Sequence, residues 1–393
     1  MNPSQPAPGS LVLGIDFGTT YSRAAAVIQG KIQLVSDSGE ASMPSVVYFP
    51  KQGEPVVGWE ALRYLPTEPS VTISSIKRLL GRNMSESEVR VLNYGVGYAI
   101  KPGPGNMAVL RIHDADYAPA QIAAAIITKL RKMAERRFGG VIRHAVMTVP
   151  AEASGDYLLA LKRAASLAQL EVIQFIAEPV AGALAFGMHK APTNRRIAVC
   201  DFGGGTFDAS LVEQQGMNFR AVGYGGDSFL GGDDFDSALA EAVAGVVFGK
   251  SQVDLHRDAI RWRELLLRCE SVKRQLSGKD EARLRMTEAY FASGTLNDLD
   301  LKVERKWIEP RWQPLVERGL GITEELLTSS SWDATSVQEI VLIGGTTLMP
   351  LVRQGFTKLF NRHVKTSERA DVAVAVGAAL QAAAYSAQAA AQK

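Results

Sequence analysis

Two short stretches of this 393-residue sequence combine acids, glycines and threonines in a way suited to holding phosphate. The first runs Asp16, Phe17, Gly18, Thr19, Thr20; the second runs Asp201, Phe202, Gly203, Gly204, Gly205, Thr206, Phe207, Asp208. Glycine admits positive φ and close backbone approach, so the N–H groups of Thr19 and Thr20 can converge on an anion. A carboxylate beside phosphates is repulsive unless a cation such as Mg²⁺ lies between them. The competing reading of the first stretch is a hairpin turn with an exposed acid. The second is sharper, because three successive glycines carry an entropic cost that a backbone anion nest would justify. Neither is a P-loop: no G-K-[ST] follows, and a strand rather than a helix comes next. Gly344, Gly345, Thr346 and Thr347 form a third glycine turn, which alone fits a structural role equally well. The five glycines between Gly223 and Gly232, around Asp227, read as a mobile connection.

The flanking pattern must position these turns. Leu11 to Asp16 is apolar and ends in an acid, and the chain resumes as an apolar strand from Arg23 to Ile28. Ile197 to Asp201, then Asp208 to Val212, repeat the arrangement. A repeated strand–turn–strand predicts an internal duplication and two related lobes, here 11–190 and 191–385. Helical periodicity covers Tyr117 to Phe138, Leu158 to Ala168, Arg261 to Leu276 and the alanine-rich stretch Asp371 to Ala391. Strands are expected at Val141 to Val149, Glu171 to Ile176 and Glu339 to Ile343, with Pro179 opening a helix. Alternating strands and helices predict an α/β fold. Residues from about 46 to 116 and from about 231 to 311 interrupt the repeat and read as inserted subdomains, with 1–10 a flexible N-terminus and 386–393 a tail.

Composition narrows the function. The 43 basic and 41 acidic residues nearly cancel, leaving no electrostatic case for nucleic acid or an anionic membrane. The 46% apolar and 21% charged residues fit an ordinary globular chain. Cys200 and Cys269 lie far apart with no CxxC pairing, and the five histidines are scattered, so buried thiols are expected rather than a disulfide framework or a zinc site. Met1 to Ser10 lacks the pattern of a signal peptide, and no apolar run was expected to reach the roughly 20 residues that span a bilayer. These features predict a cytoplasmic protein.

Nine ordered segments make the chain resemble the nucleotide-binding domain of the Hsp70 family. They are GIDFGTT (14–20), SIKRLLGR (75–82), VMTVPA (146–151), IAEPVAGALAFG (176–187), DFGGGTFD (201–208), GGDDFD (231–236), ESVKRQLS (270–277), IVLIGGTTLMP (340–350) and AVGAAL (375–380). The resemblance implies a two-lobed actin-like ATPase fold, built from duplicated ribonuclease H-like domains with inserted subdomains. It implies ATP or ADP with Mg²⁺ as cofactors, and K⁺ as a candidate. Asp16 and Asp201 would position the metal. Gly18, Thr19, Thr20, Gly203, Gly204, Gly205 and Thr206 would hold the phosphates, with Thr19 also at the reacting end. Lys77 would reach the γ-phosphate and attacking water, Glu178 would orient that water, and Asp208 would act as acceptor or monovalent-cation ligand. Glu270, Lys273, Arg274 and Ser277, spaced by three and four along one helix, would grip ribose and adenine. Gly231, Gly232, Gly344, Gly345, Thr346 and Asp371 complete the expected nucleotide set.

The sequence also departs from that family. Leu348 stands where an arginine usually stacks over adenine, a loss worth about 0.5–2 kcal/mol. Gly155 and Leu158 occupy positions where the family has an Asp and an Arg that sense its interdomain linker, and no peptide-binding domain is expected after the alanine-rich stretch. Two functions therefore compete. One is a slow Mg²⁺-dependent ATPase that switches lobe orientation in a chaperone-related role. The other is a nucleotide-sensing binding module with negligible hydrolysis that docks a partner protein, for which a co-chaperone or exchange factor is a candidate. A small-molecule kinase or filament-forming relative is a third reading.

Overall fold

The computed structural model describes residues 11–36, 39–188 and 192–391. Met1 to Ser10, expected to be flexible, lies outside the described residues. The chain divides into two units, one formed by Met1–Val199, Ser210–Tyr224 and Asp371–Lys393, the other by Cys200–Ala209 and Gly225–Ala370.

In the first unit, strand Val12–Asp16 is buried along its whole length. It runs parallel to His144–Val149, which runs parallel to Glu171–Ala177. Its other neighbour is the antiparallel strand Tyr21–Ile28, followed by Lys31–Leu34. A parallel strand buried on both faces needs apolar residues throughout, and VLGID supplies them up to its final acid. Leu13 and Ile15 face a core shared with helices Pro119–Phe138 and Gly155–Leu167. The alternation of strand side chains turns Gly14 to the other face. A Cβ there would lie 2.2 Å from the backbone nitrogen of Ala379, so only glycine lets helix Ala373–Ala391 lie on the strand. The same helix meets Glu178–Ala185 through Gly377, whose Cβ would lie 1.8 Å from the carbonyl oxygen of Ala181.

The expected helix from Tyr117 begins two residues later, because Pro119 sets the first helical φ and Gln121 accepts from the backbone N–H of Ala118. Tyr117 instead closes strand Ala115–Tyr117. The stretch 46–116 builds two small three-stranded sheets, one around Val47–Tyr48 and one around Ala108–Ile112. The helix Ala373–Ala391 continues into 386–391, which the sequence set apart as a tail. By length and hydropathy, 370–387 could cross a membrane, contrary to the sequence expectation. Half of that stretch is buried, and its packing on Gly14 and Ala181 explains the apolar composition.

The chain enters the second unit along strand Thr193–Phe202 and leaves along Phe207–Gly216; these two lie between Asn218–Asp227 and Glu339–Ile343. Phe202, Phe207, Phe235, Trp312 and Phe356 form an aromatic core with ring centroids 4.9–6.1 Å apart along the series. The indole N–H of Trp312 is satisfied by the carbonyl of Phe235 at 2.9 Å. Helices Gly232–Ser251, Ala259–Leu276 and Arg305–Ser329 and hairpin Glu281–Ala292/Thr295–Glu304 make up most of the rest.

The reading of 223–232 as a mobile connection is corrected. Gly223, Gly225 and Gly226 belong to strand Asn218–Asp227, and Gly232 opens helix Gly232–Ser251. Their glycines answer to close packing: a Cβ on Gly226 would meet the Phe207 carbonyl oxygen at 2.7 Å.

Candidate functional site

In the first unit, Asp16 ends its strand and the chain turns through Gly18. A Cβ on Gly18 would lie 2.0 Å from the carbonyl oxygen of Tyr21, so the turn admits no other residue without shifting. Ser45 holds the turn from below, donating to the Gly18 carbonyl at 2.8 Å, while Gly18 N–H donates to Ser22 Oγ at 3.2 Å. Thr19 is buried, and the buried hydroxyl of Thr20 has no partner among the described residues. An orphaned hydroxyl next to a glycine turn fits a group whose oxygens come from a ligand.

Lys77 and Glu178 meet behind this turn. Ile76 and Leu79 are buried and anchor the 3₁₀ turn Ile76–Leu79, leaving Lys77 to reach inward. Glu178 follows strand Glu171–Ala177 as the first residue of helix Glu178–Ala185, with Pro179 next, where its missing N–H costs nothing. Lys77 Nζ donates to Glu178 Oε1 at 2.7 Å, and both side chains are about nine-tenths buried. Burial opposes the Lys77 ammonium, but the charges of Glu178, Tyr157 and Asp16 outweigh it and hold the pKa above the ordinary lysine value. Burial raises the Glu178 carboxyl, against the pull of Lys77. Removing either partner would leave an uncompensated buried charge.

Three residues beside this group were not found from the sequence. Arg23 donates to Asp16 Oδ2 at 3.3 Å and, through Nε, to Ser42 Oγ at 2.8 Å. Ser42 donates in turn to Asp371 Oδ2 at 3.0 Å, which places Asp371 in the same network. Counting outward from the hairpin turn could have found Arg23, since it pairs with Asp16 across the ladder. Tyr157, in the first turn of helix Gly155–Leu167, is buried, and its hydroxyl has no partner among the described residues; burial raises its pKa, and it senses the charges of Lys77, Glu178 and Asp16. Nothing in the sequence signalled it. Gly81, at φ +68°, brings the Lys77 segment onto the backbone of Asp156 and Tyr157, where a Cβ would lie 2.5 Å away.

In the second unit, the structure draws the three glycine segments into one cradle. Gly203 N–H donates to the Thr206 carbonyl at 3.0 Å and closes the turn. The Gly203 carbonyl accepts from Gly232 N–H at 3.0 Å and from Thr346 Oγ1 at 2.7 Å. Asp233 N–H donates to the Gly204 carbonyl at 2.7 Å, and a Cβ on Gly231 would lie 2.6 Å from the Gly205 backbone. Gly344, at φ +85°, lies so close to Asp201 that a Cβ would meet its Oδ1 at 2.5 Å. Gly345 is exposed and opens the 3₁₀ turn Gly345–Leu348. Asp208 lies against Gly226, its Oδ1 3.0 Å from where a Cβ would be.

Lys273 is buried in the floor of this cradle, donating to the Gly232 carbonyl and to Asp236 Oδ2, each at 2.7 Å. Burial lifts the Asp236 carboxyl to about 7, with Lys273 opposing and Glu270 reinforcing. Glu270 therefore lies within electrostatic reach of the cradle. Arg274 is exposed, and Ser277 caps the helix with its hydroxyl on the Lys273 carbonyl at 3.3 Å. Arg353, one turn beyond Leu348, places its guanidinium on the Leu348 carbonyl.

Taken unit by unit, the acids fit Mg²⁺ and the glycine turns fit phosphate. Asp16 and Asp201 offer hard carboxylate oxygens. Among the described residues no three His, Cys, Asp or Glu side chains gather into a metal cage. Magnesium characteristically uses one or two carboxylates together with phosphate oxygens and water.

The family model described as Hsp70 protein matches residues 12–393. That match covers all but the first eleven residues and includes both glycine cradles, the Lys77–Glu178 pair and the mixed α/β framework that carries them. Accordingly, the chain belongs to the Hsp70 protein family and is an ATP-binding protein with the α/β actin-like ATPase fold of that family's nucleotide-binding domain.

Proposed function

We propose that the chain binds ATP with Mg²⁺ through the residues of both glycine cradles and hydrolyses it slowly. The observation that carries hydrolysis, beyond binding, is the buried Lys77–Glu178 pair beside Asp16. Burying two opposite charges costs several kcal/mol each, which a catalytic role beside Asp16 would account for. In this reading Lys77 stays an ammonium and supplies charge to the γ-phosphate as it leaves. Glu178, its carboxyl lifted by burial, accepts a hydrogen bond from the attacking water and orients it. Asp16 and Asp201 would hold the metal, whose chemistry is to neutralise charge on the phosphate oxygens. Asp208 is the acceptor or K⁺ ligand. Loss of the γ-phosphate would release contacts in the turns and shift lobe orientation. The two buried, unpaired cysteines support a reducing, cytoplasmic setting.

Single-turnover hydrolysis tests the proposal. Lys77→Ala is expected to slow it by about 10²–10³ while ATP affinity, read by calorimetry, falls far less. Equal and undetectable rates in both proteins would leave the second reading, a nucleotide-sensing module that docks a co-chaperone, exchange factor or other partner. Leu348 and the absence of the family's Asp and Arg at 155 and 158 favour that reading.

A further inference from the structure

We infer that Arg23 is a resident cation of the metal half-site, one that neutralises Asp16 when Mg²⁺ is missing and makes nucleotide binding only weakly dependent on divalent metal. The inference rests on the nucleotide-binding reading above. Its basis is the hairpin. The antiparallel register sets Asp16 directly opposite Arg23, so the acid proposed to face the metal has a guanidinium as its cross-strand partner. The pair is 3.3 Å apart, with side chains 12% and 9% exposed. Nothing about it resembles a solvated surface pair. The guanidinium is fixed from several sides: Nε donates to Ser42 at 2.8 Å, Nη1 also reaches the Tyr21 carbonyl at 3.4 Å, and its carbon lies 5.8 Å from the Tyr21 ring centroid.

A turn carrying only an acid repels an arriving triphosphate, and a bound divalent ion must cancel that repulsion. Here a permanent positive charge already sits on the carboxylate. Arginine does not deprotonate in proteins, so the charge is present at every working pH. It also competes: a metal that takes Asp16 must loosen or share the carboxylate that Arg23 holds. The expected signature is a small penalty for removing metal, together with a metal-bound affinity that Arg23 does not improve.

ATP affinity measured by calorimetry in excess Mg²⁺ and in excess EDTA tests this. The wild-type protein should lose less than about tenfold in EDTA, and Arg23→Gln or Arg23→Ala should lose at least a further tenfold, roughly the effect of one uncompensated partly buried charge. In Mg²⁺ both variants should bind within about threefold of wild type, or more tightly. Arg23→Lys should retain binding in EDTA, which separates charge from packing. A wild type that loses about a thousandfold in EDTA overturns the inference without any variant, as does a variant that weakens binding equally in both conditions. A wild type that fails to bind ATP in Mg²⁺ refutes the nucleotide reading itself, a different outcome.

Discussion

At the scale of single residues, the acids and glycines of the two turns were legible because their chemistry lies in residue type and spacing. Asp16, Gly18, Thr19 and Thr20 could be read in a row. The Lys77–Glu178 pair could not, since its members are 101 positions apart and only the family resemblance joined them. Arg23 could be reached by counting register outward from the hairpin turn, whereas Tyr157 was hidden by helix packing, which a local motif does not report. Gly18→Ala should weaken ATP binding by tenfold or more, because its Cβ would fall 2.0 Å from the Tyr21 carbonyl and the turn must deform. Titration of ATP into the variant measures this. Tyr157→Phe removes a buried hydroxyl that has no partner among the described residues. Urea unfolding of the nucleotide-free variant should show stability unchanged or raised by up to about 1 kcal/mol, the reverse of the loss expected had the hydroxyl been bonded.

At the scale of elements, strand and helix existence followed from periodicity, and Glu339–Ile343 came out with its predicted bounds. The failure was the glycine-rich stretch 223–232. Glycine reads as loop when flexibility is the only use considered, yet here Gly225 and Gly226 are strand residues, and Gly226 leaves room for the Phe207 carbonyl. Two helical glycines put this distinction to the test. Gly245 in helix Gly232–Ser251 faces open space, so Gly245→Ala should gain about 0.5–1 kcal/mol from helix propensity. Gly377→Ala gains the same propensity but drives a methyl to 1.8 Å from the Ala181 carbonyl, and should lose about 1–3 kcal/mol net. Chemical denaturation of the two variants side by side should give opposite signs.

At the scale of the whole molecule, pH should act on stability through a histidine outside the glycine turns. His256 lies between Glu241 and Asp254, at 2.9 and 2.8 Å, and stacks near Trp262. Its hydrogen bonds to these two carboxylates, Glu241 first, raise its pKa above 6.5. A raised folded-state value means its contribution is full below 6.5 and disappears as pH climbs through the higher folded value. The group is nearly half exposed, so screening limits the effect to about 0.2–1 kcal/mol. His256→Gln should therefore lower the melting temperature at pH 5.5 and leave it nearly unchanged at pH 8.5. Both thiols are buried, and burial pushes Cys200 up to about 12. A thiol reagent should label neither cysteine in the native protein and both in denaturant.

The contact of Gly14 with Ala379 has a temporal consequence. The first strand is made long before the helix that covers its second face. Until then an apolar β-strand waits half-covered, and the glycine turn after it lacks a rigid base. Such distant pairings carry a high loop-closure cost and fold late. A nascent chain halted before residue 373 should thus be protease-sensitive around Val12–Asp16, a sensitivity lost once the helix has been made.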